Sequence, residues 1–93
     1  MYFILTYLTV PDYIEKRAPF RDQHLVLAKY YHDQGTLIMG GALSNPPDKA
    51  IIIFKCHESS VVEEFVQNDP YVQNGLVESW EVREWKVVIG NDG

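Results

Sequence analysis

Thr36-Leu37-Ile38-Met39-Gly40-Gly41-Ala42-Leu43, then Ser44-Asn45-Pro46-Pro47-Asp48-Lys49, then Ala50-Ile51-Ile52-Ile53-Phe54-Lys55-Cys56 is the run that decides the fold. The two apolar segments are strand-like, and the short polar link between them is turn chemistry, so they read as a hairpin. The second segment is apolar on both of its faces, so both must be covered. Gly40-Gly41 inside a strand marks a bulge or a close approach of backbone or ligand.

Each side of the hairpin carries a helical pattern. Upstream, Phe20, His24, Leu27 and Tyr31 recur at i, i+4, i+7 and i+11, with Ala28 beside them and Arg21, Asp22, Lys29 and Asp33 opposite. That predicts an amphipathic helix over Phe20 to Gln34, with Pro19 in its first turn and Gly35 as its left-handed cap. Downstream, Ser60-Val61-Val62-Glu63 reads as a capping box, and Val62, Phe65 and Val66 form the buried stripe of a short helix ending near Asn68. Its valines are weak helix formers, so packing must hold it.

Outside the helices lie two more strands. Tyr2 to Thr9 has Tyr2, Ile4 and Leu8 on one face and Phe3, Leu5 and Tyr7 on the other. Leu76 to Ile89 changes its apolar side midway, from Trp80 and Val82 to Trp85, Val87 and Ile89, which a bulge near Arg83-Glu84 would explain. Val10 to Ala18 reads as a charged connection, and residues 90–93 as a frayed tail. The order is β-α-β-β-α-β, the ferredoxin-like split βαβ pattern of the α+β class, with two helices on one face of an antiparallel sheet. Residues 1–93 are expected to form one domain. The face that the helices leave open calls for a second copy, and the pattern predicts a homodimer through the open sheet face, with higher oligomers of such dimers as the alternative.

Composition narrows the function. Of 93 residues, 46 % are hydrophobic, more than a chain expected to bury only about 60 % of its surface can easily hide, and this again favours a subunit interface. A net charge of −5, with eight scattered Lys and Arg, excludes a basic stripe for nucleic acid and disfavours an anionic membrane surface. No apolar run approaches the ~20 residues of a spanning helix. The lone Cys56 excludes an internal disulfide, and with no signal-peptide pattern after Met1 the expected location is cytoplasmic.

The residues able to carry chemistry are few. His24 lies on the inward face of the first helix, either as a core histidine bonded to a backbone carbonyl or as a general acid or base in a cleft. Asp69 falls where a carboxylate is disfavoured by the preceding helix's C-terminal dipole. Followed by Pro70, it suits an N-cap for the turn at Tyr71-Val72-Gln73-Asn74; alternatively it orients His24 and holds its tautomer. Arg17 and Arg21 sit before and within the first turn of the helix. Arg21, three residues before His24, is placed to hold an anionic ligand or else is simply solvated. Tyr7 and Ser44 are candidate pocket lining. The histidines lack ligand spacing, nothing activates Cys56, and Gly40-Gly41 lacks phosphate-loop spacing, so neither metal nor cofactor is expected.

Arg21-Asp22-Gln23-His24-Leu25, Gly35-Thr36-Leu37, Gly40-Gly41-Ala42-Leu43, Asn68-Asp69-Pro70-Tyr71, Gly75-Leu76 and the closing Trp85, in this order and spacing, give a chain that resembles the YciI-like (YCII-related) family. The resemblance runs along nearly the whole chain. It implies a ferredoxin-like fold assembled into dimeric α/β barrels, and an active site on a His–Asp pair that maps to His24 and Asp69. Relatives implied by it include a dehydrochlorinase acting on a chlorinated hydroxyhydroquinone and, in the wider barrel group, muconolactone isomerases. The expected function is thus a small cofactor-independent enzyme of lyase, isomerase or dehydrochlorinase-like kind. His24 and Asp69 would be catalytic, with Arg21, Tyr7 and Ser44 binding a small oxygenated organic substrate. The alternative is a non-catalytic dimeric module that binds a small metabolite.

Overall fold

The structure, a computed structural model, describes residues 1–90. In chain order its elements are β1 (Tyr2–Thr9), α1 (Tyr13–Lys16), a 3-10 turn (Ala18–Phe20), α2 (Arg21–Asp33), β2 (Leu37–Ala42), β3 (Lys49–Lys55), α3 (Ser59–Asn68), α4 (Pro70–Gln73) and β4 (Val77–Trp85). The strands form one antiparallel sheet in the order β2-β3-β1-β4. Each long helix links two strands that share another strand between them, which is the ferredoxin-like arrangement.

Alternation along the central strands decides where the core lies. Phe3, Leu5 and Tyr7 of β1, with Ala50, Ile52 and Phe54 of β3, are buried beneath Tyr31 of α2 and Val62, Phe65 and Val66 of α3. Tyr31, Phe54 and Phe65 meet edge to face, with centroids 5.3 Å apart for Tyr31–Phe65 and Phe54–Phe65. Such ring pairs contribute about 0.5–1.5 kcal/mol beyond area burial. The other sheet face, where Ile53 is paired with Ile4 and Ile51 with Thr6, carries no helix among the described residues. Met39 and Trp85 on that face are exposed.

The Gly35 cap forms as the sequence implies. Gly35 has φ 79°, its N–H donates to the His32 carbonyl, and the Thr36 N–H donates to that of Tyr31. These two bonds complete a Schellman motif that stops α2 and turns the chain into β2.

Three local expectations are corrected. The helix α3 starts two residues early: Glu58 occupies the N-cap with no side-chain capping bond, and the Ser60 hydroxyl donates to the Glu58 carboxylate, so there is no Ser60–Glu63 capping box. No bulge lies at Arg83-Glu84, since the β1–β4 register runs unbroken from Tyr2 opposite Trp85 to Leu8 opposite Ser79. The irregularity comes beyond that, where Thr9 pairs with Val77. Trp85 instead ends β4 facing the open side, whereas Val82, opposite the buried Leu5, faces the helices. The stretch from Val10 to Ala18 is not a bare connection, because α1 buries Tyr13 against Tyr71 and Leu76. Of the tail expected at 90–93, residues 91–93 lie outside the described residues. Among the described residues no helix is long and apolar enough to cross a membrane, and no group of His, Cys, Asp or Glu is placed to hold a metal ion.

Candidate active site

The site begins where two helices meet end to end. Asp69 is extended (φ −75°, ψ 119°) between α3 and α4, with Pro70 as the first residue of α4. Its Oδ1 accepts from the Tyr71 N–H at 3.0 Å, the bond expected of an N-cap. The side chain is nonetheless fully buried and does more than cap. Oδ1 is also 2.8 Å from His24 Nδ1, and Oδ2 accepts from the Tyr7 hydroxyl at 2.8 Å. One carboxylate thus joins β1, α2 and α4. Asp69 makes both the N-capping bond and a contact with His24.

The geometry fixes the histidine. A carboxylate only accepts, so Nδ1 donates to Oδ1, and in the neutral ring the lone pair then lies on Nε2. Tyr71 stacks on the imidazole, with centroids 3.9 Å apart and planes 11° from parallel, while Phe65 and His24 form an edge-to-face pair. Nε2 has no protein partner among the described residues, yet no buried polar side-chain atom lacks one, so Nε2 is accessible. His24 lines a cavity of about 560 Å³.

That cavity lies on the helix side of the sheet. Tyr13, Ile14 and Arg17 form one wall, and Arg21, His24, Leu25 and Ala28 of α2 another. Its floor is mostly small residues, with Ile52 among them. Gly40 pairs with Ile52 and Ala42 with Ala50, so large side chains are missing where the core would otherwise continue. Ser44 and Asn45 of the hairpin and the Tyr71 ring close the rim.

The four expected lining or catalytic residues Tyr7, Arg21, His24 and Ser44 all face this cavity, and Asp69 stands behind His24 and Tyr7. Tyr7 gives its hydroxyl to Asp69, so its polar end serves the carboxylate rather than the cavity. Burial, and then the adjacent Asp69 carboxylate, raise the Tyr7 phenol far above its ordinary range, which keeps it a neutral donor. Burial also raises the Tyr13 and Tyr71 phenols, with Arg17 and Arg21 pulling the other way.

Sequence reasoning missed Tyr13 and Tyr71 as lining. Tyr13 lies in a four-residue helix too short to show a period. Tyr71 had a usable signal: it follows Asp69-Pro70 at the position whose N–H an N-cap binds, which ties it to Asp69.

No curated protein matches the sequence. Among solved structures, the chain is similar to 5-chloro-2-hydroxyhydroquinone dehydrochlorinase from Burkholderia phenoliruptrix AC1100, in complex with 2,5-dihydroxybenzoquinone. The TM-score is 0.77 at 21 % identity, covering 92 % of this chain and 94 % of that one, a likeness of fold. The model of the YCII-related domain matches residues 1–86, a span that takes in all four strands and every side chain of the cavity. On that match the chain belongs to the YCII-related domain family.

Proposed function

We propose that this protein is a small enzyme of the lyase or isomerase kind that needs no cofactor and uses His24 to move a proton on a small oxygenated organic substrate. The observation that carries the reading is the Tyr7–Asp69–His24 array, whose histidine meets Asp69 through Nδ1 and lines a cavity large enough for a ring-sized molecule. In this reading Nε2 takes a proton from a carbon next to a carbonyl or from a ring hydroxyl. The electron pair left behind forms the new double bond, and either a leaving group departs with its bonding pair or the proton returns elsewhere on the substrate. Asp69 holds the ring in place and balances the positive charge it gains. Arg21 and Ser44 hold substrate oxygens, and Tyr7 closes the cavity beside the histidine. Elimination is proposed by fold-level analogy with the dehydrochlorinase. The proposal extends to a single domain, to a homodimer joined through the open sheet face, and to a cytoplasmic setting.

The test is steady-state kinetics of Asp69→Asn on any substrate found by screening lactones, hydroquinones and keto acids. Loss of kcat by about 10²-fold or more with KM nearly unchanged is expected, because the amide no longer balances the imidazolium. An unchanged kcat removes Asp69 from the mechanism. A ligand that binds and returns chemically unaltered, with His24→Gln lowering affinity alone, replaces the enzyme with a metabolite-binding module.

A further inference from the structure

The cavity reverses the charge of the chain around it. The protein carries 13 acidic residues against eight basic ones, yet among the described residues no carboxylate lines the cavity while Arg17 and Arg21 both do. Asp69 is walled off, with both oxygens occupied. Neither guanidinium has a carboxylate within 4.0 Å among the described residues. An acidic protein would readily neutralise two arginines if nothing else were to do so.

Their placement is also specific. The Arg17 guanidinium sits over the Tyr13 ring, 5.4 Å from its centroid. Tyr13 meets Tyr71 edge to face at 5.7 Å, and Tyr71 stacks on His24. This ladder of rings ties Arg17 to the histidine, while Arg21 sits three residues before His24 on the same side of α2. Both arginines line the same cavity as Tyr13 and Tyr71. Across from them lies the floor of Gly40, Ala42, Ala50 and Ile52, low and apolar.

We propose that Arg17 and Arg21 form an anion subsite, and that the ligand is a planar organic acid. Its delocalised oxyanion is held by the two guanidiniums while its apolar body lies on the small-residue floor beneath His24. A guanidinium fork matches a carboxylate or a ring enolate through paired hydrogen bonds, and a cation held on an aromatic face is already oriented. The assignment rests on reading this cavity as the substrate site, and it adds both Arg17 and the charge of the substrate.

Calorimetric titration tests it with three probes: 2,5-dihydroxybenzoate, its methyl ester, and 2,5-dihydroxybenzoquinone as a ring enolate. The variants are Arg17→Gln, Arg21→Gln, Arg17→Lys and His24→Gln, with circular dichroism confirming that each is folded. At least one of the two acids is expected to bind wild type roughly tenfold or more tightly than the ester, since charge-assisted hydrogen bonds supply that much. Each Arg→Gln change should weaken that acid by about tenfold and leave the ester unaffected, and added salt should weaken it too. Arg17→Lys should fall between, as it keeps the charge and loses the fork. Which acid binds tells a carboxylate from a ring enolate. Equal binding of acid and ester, no binding of any probe, or unchanged acid affinity in the Arg→Gln variants overturns the proposal. Arginine-dependent binding of an acid that is never turned over leaves the subsite standing and removes the enzyme. Turnover with no preference for charge does the reverse.

Discussion

The Asp69 carboxylate accepts three hydrogen bonds while fully buried, and each donor comes from a different element. A buried carboxylate is tolerated only when its oxygens are satisfied, so each donor carries a stability cost if it is lost. Tyr7→Phe keeps the ring and removes the single donor to Oδ2. It should destabilise the protein by about 1–3 kcal/mol in urea unfolding, the cost of a stranded buried acceptor. An unchanged midpoint would mean that another donor reaches Oδ2. The same phenol governs alkaline behaviour. Its pKa is raised on folding from an ordinary value of 10.0, so the folded state holds a proton that the unfolded chain releases. Its contribution is therefore complete below about pH 10 and is lost as pH rises beyond that. The loss of stability above pH 10 should be shallower in Tyr7→Phe than in wild type. Residue types alone could propose His24 and Asp69 as candidates, but not Tyr7 as the donor to Asp69. A tyrosine on a strand covered on both sides reads equally well as core, and only the sheet register brings it under the carboxylate.

At the scale of elements, the long periodic pieces were legible and the short ones were not. The stripe of His24, Leu27 and Tyr31 was enough to place α2, and Gly35 marked its end. The backbone there has φ 79°, where a Cβ is strained although the space around it is open. Gly35→Ala should therefore cost about 1 kcal/mol, read as a lower thermal midpoint with the ligand site intact. A larger loss would point to a packing role that the open surroundings do not show. The misreadings have definite causes. Trp85 lies on the opposite face from Trp80 simply because both faces of an edge strand can carry aromatic residues, so parity alone invented a bulge. Ser60 and Glu63 have capping-box spacing, but the chain enters the helix two residues earlier, at Glu58, whose carbonyl accepts from the Cys56 thiol.

For the whole molecule, the dominant fact is a sheet with one covered face. Ile4, Ile51 and Ile53 are half-buried only by one another and their neighbours, with Met39, Leu8 and Trp85 exposed around them. A contiguous apolar patch of this kind marks an association surface. If a second copy covers it, wild type should sediment as a dimer with a melting temperature that rises with concentration. Ile53→Glu, at the middle of the patch, should give a monomer whose melting temperature does not. A wild type that stays monomeric at high concentration sinks the dimer. Tyr7, His24 and Asp69 come from β1, α2 and the α3–α4 junction, whereas Gly40 and Ala42 belong to β2, an edge strand that supplies none of them. A Cβ at position 40 would come within 3.1 Å of the Ile52 side chain, so even one added carbon reshapes the mould. The tool and the mould are thus written on separate pieces of chain. Single changes along the outermost strand can therefore reshape the cavity while the contacts that join Tyr7, Asp69 and His24 stay as they were.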